Sequence, residues 1–520
     1  MEKEKSPAQE AGKRSLLQIV FGRTMIILVL LAIHFLLFFA ALMKLTAYLP
    51  YLMGGVTVMT AVMLIYILNT RDNPSQKLSW CCLVALAPVF GVMLYFFIKL
   101  DLGHRIYRKI DARAVESSRK YVPDQTNALE EIRVHEPEFY GMACYLDRYS
   151  GLGICPAEEC RYFPVGEEML EVMLEELEKA ERFIFLEYFI ISEGVMWEKI
   201  LEILQRKAAQ GVEVRVMYDG TCSVFNIPYH YPKALESMGI HCRVFSPLRP
   251  FISTHHNNRD HRKILVIDGK TAFTGGINLS DEYINYTHPY GHWKDTAIMI
   301  RGQAARSFTL MSLQMWNALE KEQDYASYLP PVLADTPSNG YVIPFTDTPT
   351  DTERVGQTVY MQMINQARDH VYIMTPYLIL DGEMLTALCQ CAKRGVDIRI
   401  LQPQIPDHQY AYVLARRHYA ELMEAGVKLY AYTPGFVHAK VFLADGMSAV
   451  VGSINLDYRS LYLHYECGAY LYKTPVIEQI RQDFAESFAI SHLMTEEDLR
   501  KESILSRAAG VVLKAVAPLM

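Results

Sequence analysis

Hydrophobic positions change character near residue 120. Before it lie three long apolar runs, residues 25–43, 51–68 and 79–98, each almost free of charge. Each is close to the length that a helix needs to cross a bilayer core. No small-residue cleavage site follows the first run, and more apolar segments come next, so a removed signal peptide is not expected. Past residue 120 apolar positions alternate in short strands or recur at helical spacing. The pattern predicts N-terminal transmembrane helices (about 25–43, 51–68 and 79–98) followed by a large α/β part.

Orientation stays open. Lys3, Lys5, Lys13, Arg14 and Arg23 precede the first run, and Lys99, Arg105, Arg108, Lys109 and Arg113 follow the third. Basic clusters favour the cytoplasmic side, and three full crossings cannot satisfy both. Either one run is interfacial or re-entrant, or one cluster is not held inside. Pro50, Pro88 and Gly91 are candidate break points.

The α/β part repeats itself. Residues 180–190 and 367–377 both alternate like half-buried strands. Each is followed by a helical stretch, a glycine (Gly211, Gly395) and a β-branched strand. Gly239 and Gly426 end the next helix in each half. Equivalent landmarks lie 184 to 187 residues apart (395 − 211, 367 − 180, 422 − 235). This periodicity reads as an internal duplication and predicts two lobes related by a pseudo-dyad.

The repeat ends in its chemistry. One copy reads His261-x-Lys263-x4-Asp268-Gly269, then Gly276 and Asn278. The other reads His438-x-Lys440-x4-Asp445-Gly446, then Ser453 and Asn455. Asp-Gly between two apolar runs signals a hairpin. Residues two apart on a strand share a face, so each histidine points with its lysine. A histidine beside a fixed ammonium can attack phosphorus while the lysine neutralises a phosphoryl oxygen. Two such sets supply one histidine to attack and one to protonate the leaving group. With two lysines and two asparagines to hold the phosphate, neither metal nor cofactor is called for.

Duplicated H-x-K-x4-D followed by Gly-Gly or Gly-Ser and Asn resembles the phospholipase D superfamily. Residues 73–80 and 87–95, Tyr162 to Gly166, the strand at Glu187 and Asn455 to Ser460 are similar to bacterial cardiolipin synthases. The likeness covers nearly the whole chain from about residue 50. It implies two duplicated α/β sandwich lobes and transfer of a phosphatidyl group from one phosphatidylglycerol to another, releasing glycerol. By position it implies catalytic roles for His261, Lys263, Asp268, His438, Lys440 and Asp445. His261 is then the nucleophile and His438 the general acid. Nothing in the residue pattern itself fixes which histidine attacks. Gly276, Asn278, Ser453 and Asn455 take substrate-binding positions, and Asp268 and Asp445 are expected to brace the hairpin rather than touch phosphorus. Glu466, 28 residues after His438, and Asp295, 34 after His261, are expected to orient the histidines.

Composition narrows the alternatives. A net charge of −7 counts against a nucleic-acid partner, which would need a basic groove. The ten cysteines show neither zinc-site spacing nor a disulfide framework, as expected of reduced thiols facing a cytoplasm. Open readings are a transferase using phosphatidylethanolamine or another alcohol, a hydrolytic phospholipase D, a membrane-tethered nuclease and a non-catalytic scaffold. Oligomeric state is not legible. His255 and His256 touch phosphate or sit in a polar loop, and Asp260, where the family more often has Asn or Gln, is expected to point outward.

The expected organisation is a cytoplasmic tail (1–24), a transmembrane region (25–100), a basic linker (101–125), a first lobe (126–330), a second lobe (331–495) and a C-terminal helix (496–520). That helix either lies on the membrane surface or packs on the second lobe. The expected location is the cell membrane, multi-pass, with cytoplasmic lobes.

Overall fold

Every side chain from Phe183 to Tyr188 is buried, yet neighbours face different cores. Phe183 and Phe185 join one cluster, Ile184 and Leu186 another. The same alternation recurs at Ile264 and Val266 against Leu265 and Ile267, and at Val441 and Leu443 against Phe442 and Ala444. A period of two with apolar groups on both faces makes a sheet covered on both sides.

The computed structural model describes residues 29–37, 39, 49–99, 102–222, 226–247, 258–318, 324–332 and 339–519. In chain order the strands are β1 (Cys155–Pro156), β2 (Glu159–Phe163), β3 (Phe183–Tyr188), β4 (Glu213–Asp219), β5 (Ile240–Phe245), β6 (Lys263–Ile267), β7 (Thr271–Gly275), β8 (His292–Lys294) and β9 (Ala297–Arg301). The second half adds β10 (Tyr341–Asp347), β11 (His370–Met374), β12 (Asp397–Pro403), β13 (Lys428–Tyr432), β14 (Gly435–Val437), β15 (Val441–Ala444), β16 (Ser448–Gly452), β17 (Glu466–Tyr472) and β18 (His492–Leu493).

One sheet runs β2-β9-β7-β6-β3-β4-β5, the other β1-β10-β17-β16-β15-β11-β12-β13-β18. With β1 and β18 set aside as edge additions, the two orders superimpose strand for strand, which is the duplication expressed as topology. A central cluster is shared by both sheets and by helices Gln303–Asn317 and Val476–Ala489, and each sheet's other face carries its own helices. The boundary between halves differs from the expected one. Helices Thr126–His135 and Pro137–Tyr149 pack on the second half's core, and β1 pairs with β10, so residues 126–156 belong with the second sheet. Their apolar faces, with Ile132, Phe139, Met142 and Leu146, fit the surface beside β10 and helix Val355–Gln366.

Contacts divide the chain into two units: Met1–Tyr107 with Leu248–Asn257 and Ala515–Met520, and Arg108–Pro247 with Asn258–Lys514. The first holds helices Leu49–Leu68, Pro74–Leu86 and Pro88–Lys99, whose Met63, Ile67, Trp80, Val84 and Tyr95 form a small cluster with Leu519 packed on it. The expected crossing at 79–98 is two helices that break at Ala87, because Pro88 cannot continue the hydrogen-bonded ladder. Gly91 serves close packing, since a Cβ there would lie 2.8 Å from Val84 Cα. Among the described residues no helix is long and apolar enough to cross a membrane, so the expected spans 51–68 and 79–98 are not observed as such. The expected run 25–43 lies partly outside the described residues, as do His255 and His256.

Candidate active site

The two Asp-Gly pairs form the tight turns that the sequence predicts. Asp268 (φ +54°) and Gly269 (φ +69°), like Asp445 (+52°) and Gly446 (+61°), are left-handed at both central positions, the geometry that matches strand twist in a hairpin. Each aspartate then binds backbone. Asp268 accepts from the amides of Glu181, Arg182 and Phe183 at 2.7–2.9 Å, and Asp445 from those of Arg368, Asp369 and His370 at 2.8–3.0 Å. Both therefore fasten the start of the neighbouring strand, at the far end of β6 or β15 from the histidine. They are braces for the frame and make no contact with the reacting groups.

At the other end of those strands the two halves interlock. β14, leading into His438, pairs in parallel with β8, which leads into Asp295. Asp260, leading into His261, pairs in parallel with Tyr465, which precedes Glu466. The His261 amide donates to Tyr465 O at 2.9 Å and the His438 amide to Lys294 O at 2.7 Å. Each histidine is thereby set beside the carboxylate of the opposite half. His261 Nδ1 lies 3.0 Å from both Glu466 oxygens, and His438 Nδ1 lies 2.6 Å from Asp295 Oδ2. Each carboxylate thus serves the opposite half's histidine and not the one that precedes it in its own half.

The clamps are not alike. Glu466 also accepts from Ser460 Oγ at 2.5 Å and from Ser453 Oγ. Burial opposes its charge, but His261 and His464 hold it well below the usual carboxylate range. Asp295 has one further donor, the Thr296 amide at 2.8 Å, and burial pushes it up to about 7 against the pull of Lys440. Where the second half has Ser453, the first has Gly276, and a Cβ there would lie 2.2 Å from Asp295 Oδ1. Gly276 therefore makes room for a carboxylate and Ser453 holds one. These are contacts within the protein, at positions for which the motif implied substrate binding.

Both histidines are buried. Burial takes His261 down to about 3, with Glu466 opposing, and burial followed by Lys440 takes His438 well below its ordinary value. A neutral His261 beside an ionised Glu466 carries its proton on Nδ1, leaving Nε2 with a lone pair. His438 Nδ1 lies 2.6 Å from Lys440 Nζ as well as from Asp295. One nitrogen cannot both accept from the ammonium and donate to the carboxylate, so a proton is shared among His438, Asp295 and Lys440.

Lys263 and Lys440 both reach back to the carbonyl of their own histidine, Lys263 at 2.5 Å. Burial lowers them to about 8 and about 7, and each feels Glu466 and Asp295 from the two halves. A phosphate anion between them would restore both charges. Asn278 is engaged, accepting from the Ile190 amide at 3.0 Å and donating to Tyr283 Oη at 2.7 Å. Asn455 keeps a buried side-chain oxygen without a hydrogen-bond partner among the described residues. Asp260 does not point outward: it is buried and paired with Arg262 Nε at 3.1 Å, while Arg262 also meets Glu187 at 2.5 Å. Ser460 and Tyr465 were missed as site residues. Tyr465 finds its partners, Asp260 and His261, in the other half of the chain, and Ser460 acts through Glu466 six residues on.

Among the described residues, His261, His464 and Glu466 form the one trio close enough to share a metal ion. Both Glu466 oxygens and His261 Nδ1 already serve the clamp described above. None of the ten cysteines is joined to another in a disulfide.

Known proteins are similar to this chain. The family described as "Cardiolipin synthase, PLD-like domain" matches residues 173–300 and 360–488, and "Phospholipase_D-nuclease N-terminal" matches residues 58–99. A cardiolipin synthase of Geobacillus kaustophilus is 32% identical over 470 residues, covering 88% of this chain and 92% of that protein. An uncharacterized protein of Streptococcus mutans is 47% identical over 456 residues, covering 88% and 99%. The crystal structure of phosphatidylserine synthase from Haemophilus influenzae matches with a TM-score of 0.56 at 13% identity, over 72% of this chain and 97% of that one. It speaks for the fold alone.

Proposed function

The chain belongs to the cardiolipin synthases of the phospholipase D-like family, and from that premise we infer how its two unlike clamps divide the work. The enzyme transfers a phosphatidyl group from one phosphatidylglycerol to another, giving cardiolipin and glycerol. In our reading His261 Nε2 attacks the phosphorus of the first lipid, and the bond from phosphorus to the glycerol headgroup breaks. His438 Nε2–H gives its proton to the departing glycerol oxygen while Nδ1 takes up the proton from Asp295, which leaves Asp295 ionised and Nε2 free as a base. His438 then takes the proton of the terminal hydroxyl of a second phosphatidylglycerol, whose oxygen displaces His261. Lys263 and Lys440 neutralise the non-bridging phosphoryl oxygens throughout. Ionised Glu466 stabilises the His261 cation while the phosphatidyl group is attached.

The observation that supports this division is the difference in donors. Two serine hydroxyls hold Glu466, whereas one backbone amide holds Asp295. We also read the enzyme as membrane-attached, with its lobes on the cytoplasmic side. Exposed Val58, Val62, Ile65, Leu68, Leu78 and Leu86 on the N-terminal helices would meet lipid there.

The test uses purified protein in vesicles of phosphatidylglycerol alone, with chelator. Cardiolipin and glycerol in equal amounts are expected. Phosphatidic acid instead would make water the acceptor, and no product would refute the reading.

A further inference from the structure

Helix Ile504–Val516 has two faces of different kinds. One is docked: a Cβ on buried Gly510 would lie 2.8 Å from the Arg417 side chain and 3.2 Å from Val413, both on helix Gln409–Glu424. Just before the helix, Glu502 pairs with Arg417 and accepts from Ser506 Oγ at 2.6 Å. The other face is bare. Ile504 and Leu505 are 84% and 83% exposed, Val511 and Val512 each 66%, and Val516 40%. At 100° per residue these five side chains occupy one arc opposite Gly510, and the positions between them on that arc are alanines. Scattered exposed apolar residues need no explanation, but a continuous stripe along a helix of 13 residues marks a contact surface.

Charge decides what covers it. Between residues 504 and 516 the helix carries Arg507 and Lys514 and no acidic residue. Seven residues apart, they lie on the same edge, between the docked face and the apolar arc. An apolar stripe bordered by cations alone suits an anionic phospholipid surface, where the cations meet headgroup phosphates and the stripe meets acyl chains. A second copy of the chain offers no such complement along its own helix, because two such edges repel.

We infer that helix Ile504–Val516 is a membrane-surface contact that rests its exposed face in the anionic leaflet supplying the substrate. This rests on the lipid-substrate reading above and adds a specific docking element to it. The docked Gly510 face ties the helix to helix Gln409–Glu424 of the second half, so lipid contact there restrains the catalytic lobes at the bilayer.

The full chain is reconstituted in vesicles whose lipids carry bromine on the upper acyl chain, and emission of a Val512→Trp variant is compared with that of the unsubstituted protein. The added emission should fall by more than half in phosphatidylglycerol and little in phosphatidylcholine. Equal quenching in both lipids overturns the anionic partner, and no quenching overturns the contact. A blue shift in detergent that grows with protein concentration would mean a second copy covers the face, which also overturns it. In parallel, Leu505→Glu/Val512→Glu should lose at least tenfold in rate on phosphatidylglycerol vesicles and keep its rate on short-chain phosphatidylglycerol in micelles. Equal losses would mean a merely structural helix. If the unsubstituted protein makes no cardiolipin, the functional reading fails while the quenching result still stands.

Discussion

The two halves of this enzyme share seven strands in the same order, yet they treat their carboxylates differently. The second half holds Glu466 with Ser453 and Ser460 and presents it, ionised, to His261 of the first. The first half clears space with Gly276 and presents Asp295, shifted up to about 7, to His438 of the second. A duplicated fold would supply two equivalent histidines, whereas the chemistry needs an attacker and a proton donor. The difference lies one position before each motif's x-Asn, a serine in one copy and a glycine in the other.

Removing the ionised partner should have the largest effect. Glu466→Gln leaves His261 without an anion to fix its tautomer, and kcat should fall by ~10²–10⁴-fold, as for other histidine–carboxylate pairs. Asp295→Asn should cost at least ten times less, because burial already favours the neutral form of Asp295. Equal losses, in steady-state glycerol release, would erase the proposed division.

Copying the second half's serine into the first comes next. Gly276→Ser puts a Cβ 2.2 Å from Asp295 Oδ1, so the carboxylate must move from His438. A loss of ~10–100-fold is expected, since small displacements of catalytic groups cost on that scale. An unaffected rate would show that Asp295 has room to spare.

pH separates the halves further. Burial lowers Lys440 and Lys263 to about 7 and about 8, so their charge is present below those values and lost as pH rises through them. Thus kcat/KM should decline above about pH 7, and kcat should hold to higher pH because bound phosphate keeps the lysines charged. Coincident limbs would mean that the lysines do not share the phosphate. Ser460→Ala should have the smallest effect, ~10-fold, the scale of one hydrogen bond to a charged group. That serine favours the ionised form, so its loss raises the Glu466 pKa and moves the acid limb of kcat/KM upward. A rate change with an unmoved limb would reduce Ser460 to a structural residue.

Much of this was legible in the sequence, because the repeat is written in local signals. Gly211 and Gly395 mark the helix ends, Asp-Gly marks the hairpins, and alternation marks β3 and β6. The crossed clamps were not. Spacings of 28 and 34 residues say how far Glu466 and Asp295 follow a histidine, and nothing about which histidine the fold brings to them. The pairing of Asp260 with Tyr465 and of β14 with β8 decides that, through contacts between segments more than 140 residues apart. Tertiary contact likewise moved residues 126–156 to the second sheet, and Pro88 divided a run whose composition alone reads as one span.

The central claim is that His261 attacks and His438 donates. A phosphatidyl substrate with p-nitrophenol as leaving group needs no acid for its first step. His438→Ala, mixed with it and quenched in alkaline detergent, should accumulate a phosphatidyl adduct that peptide mass mapping places on residue 261, while His261→Ala yields none. An adduct on His438 in the His261→Ala protein, with none in the other, would contradict the account.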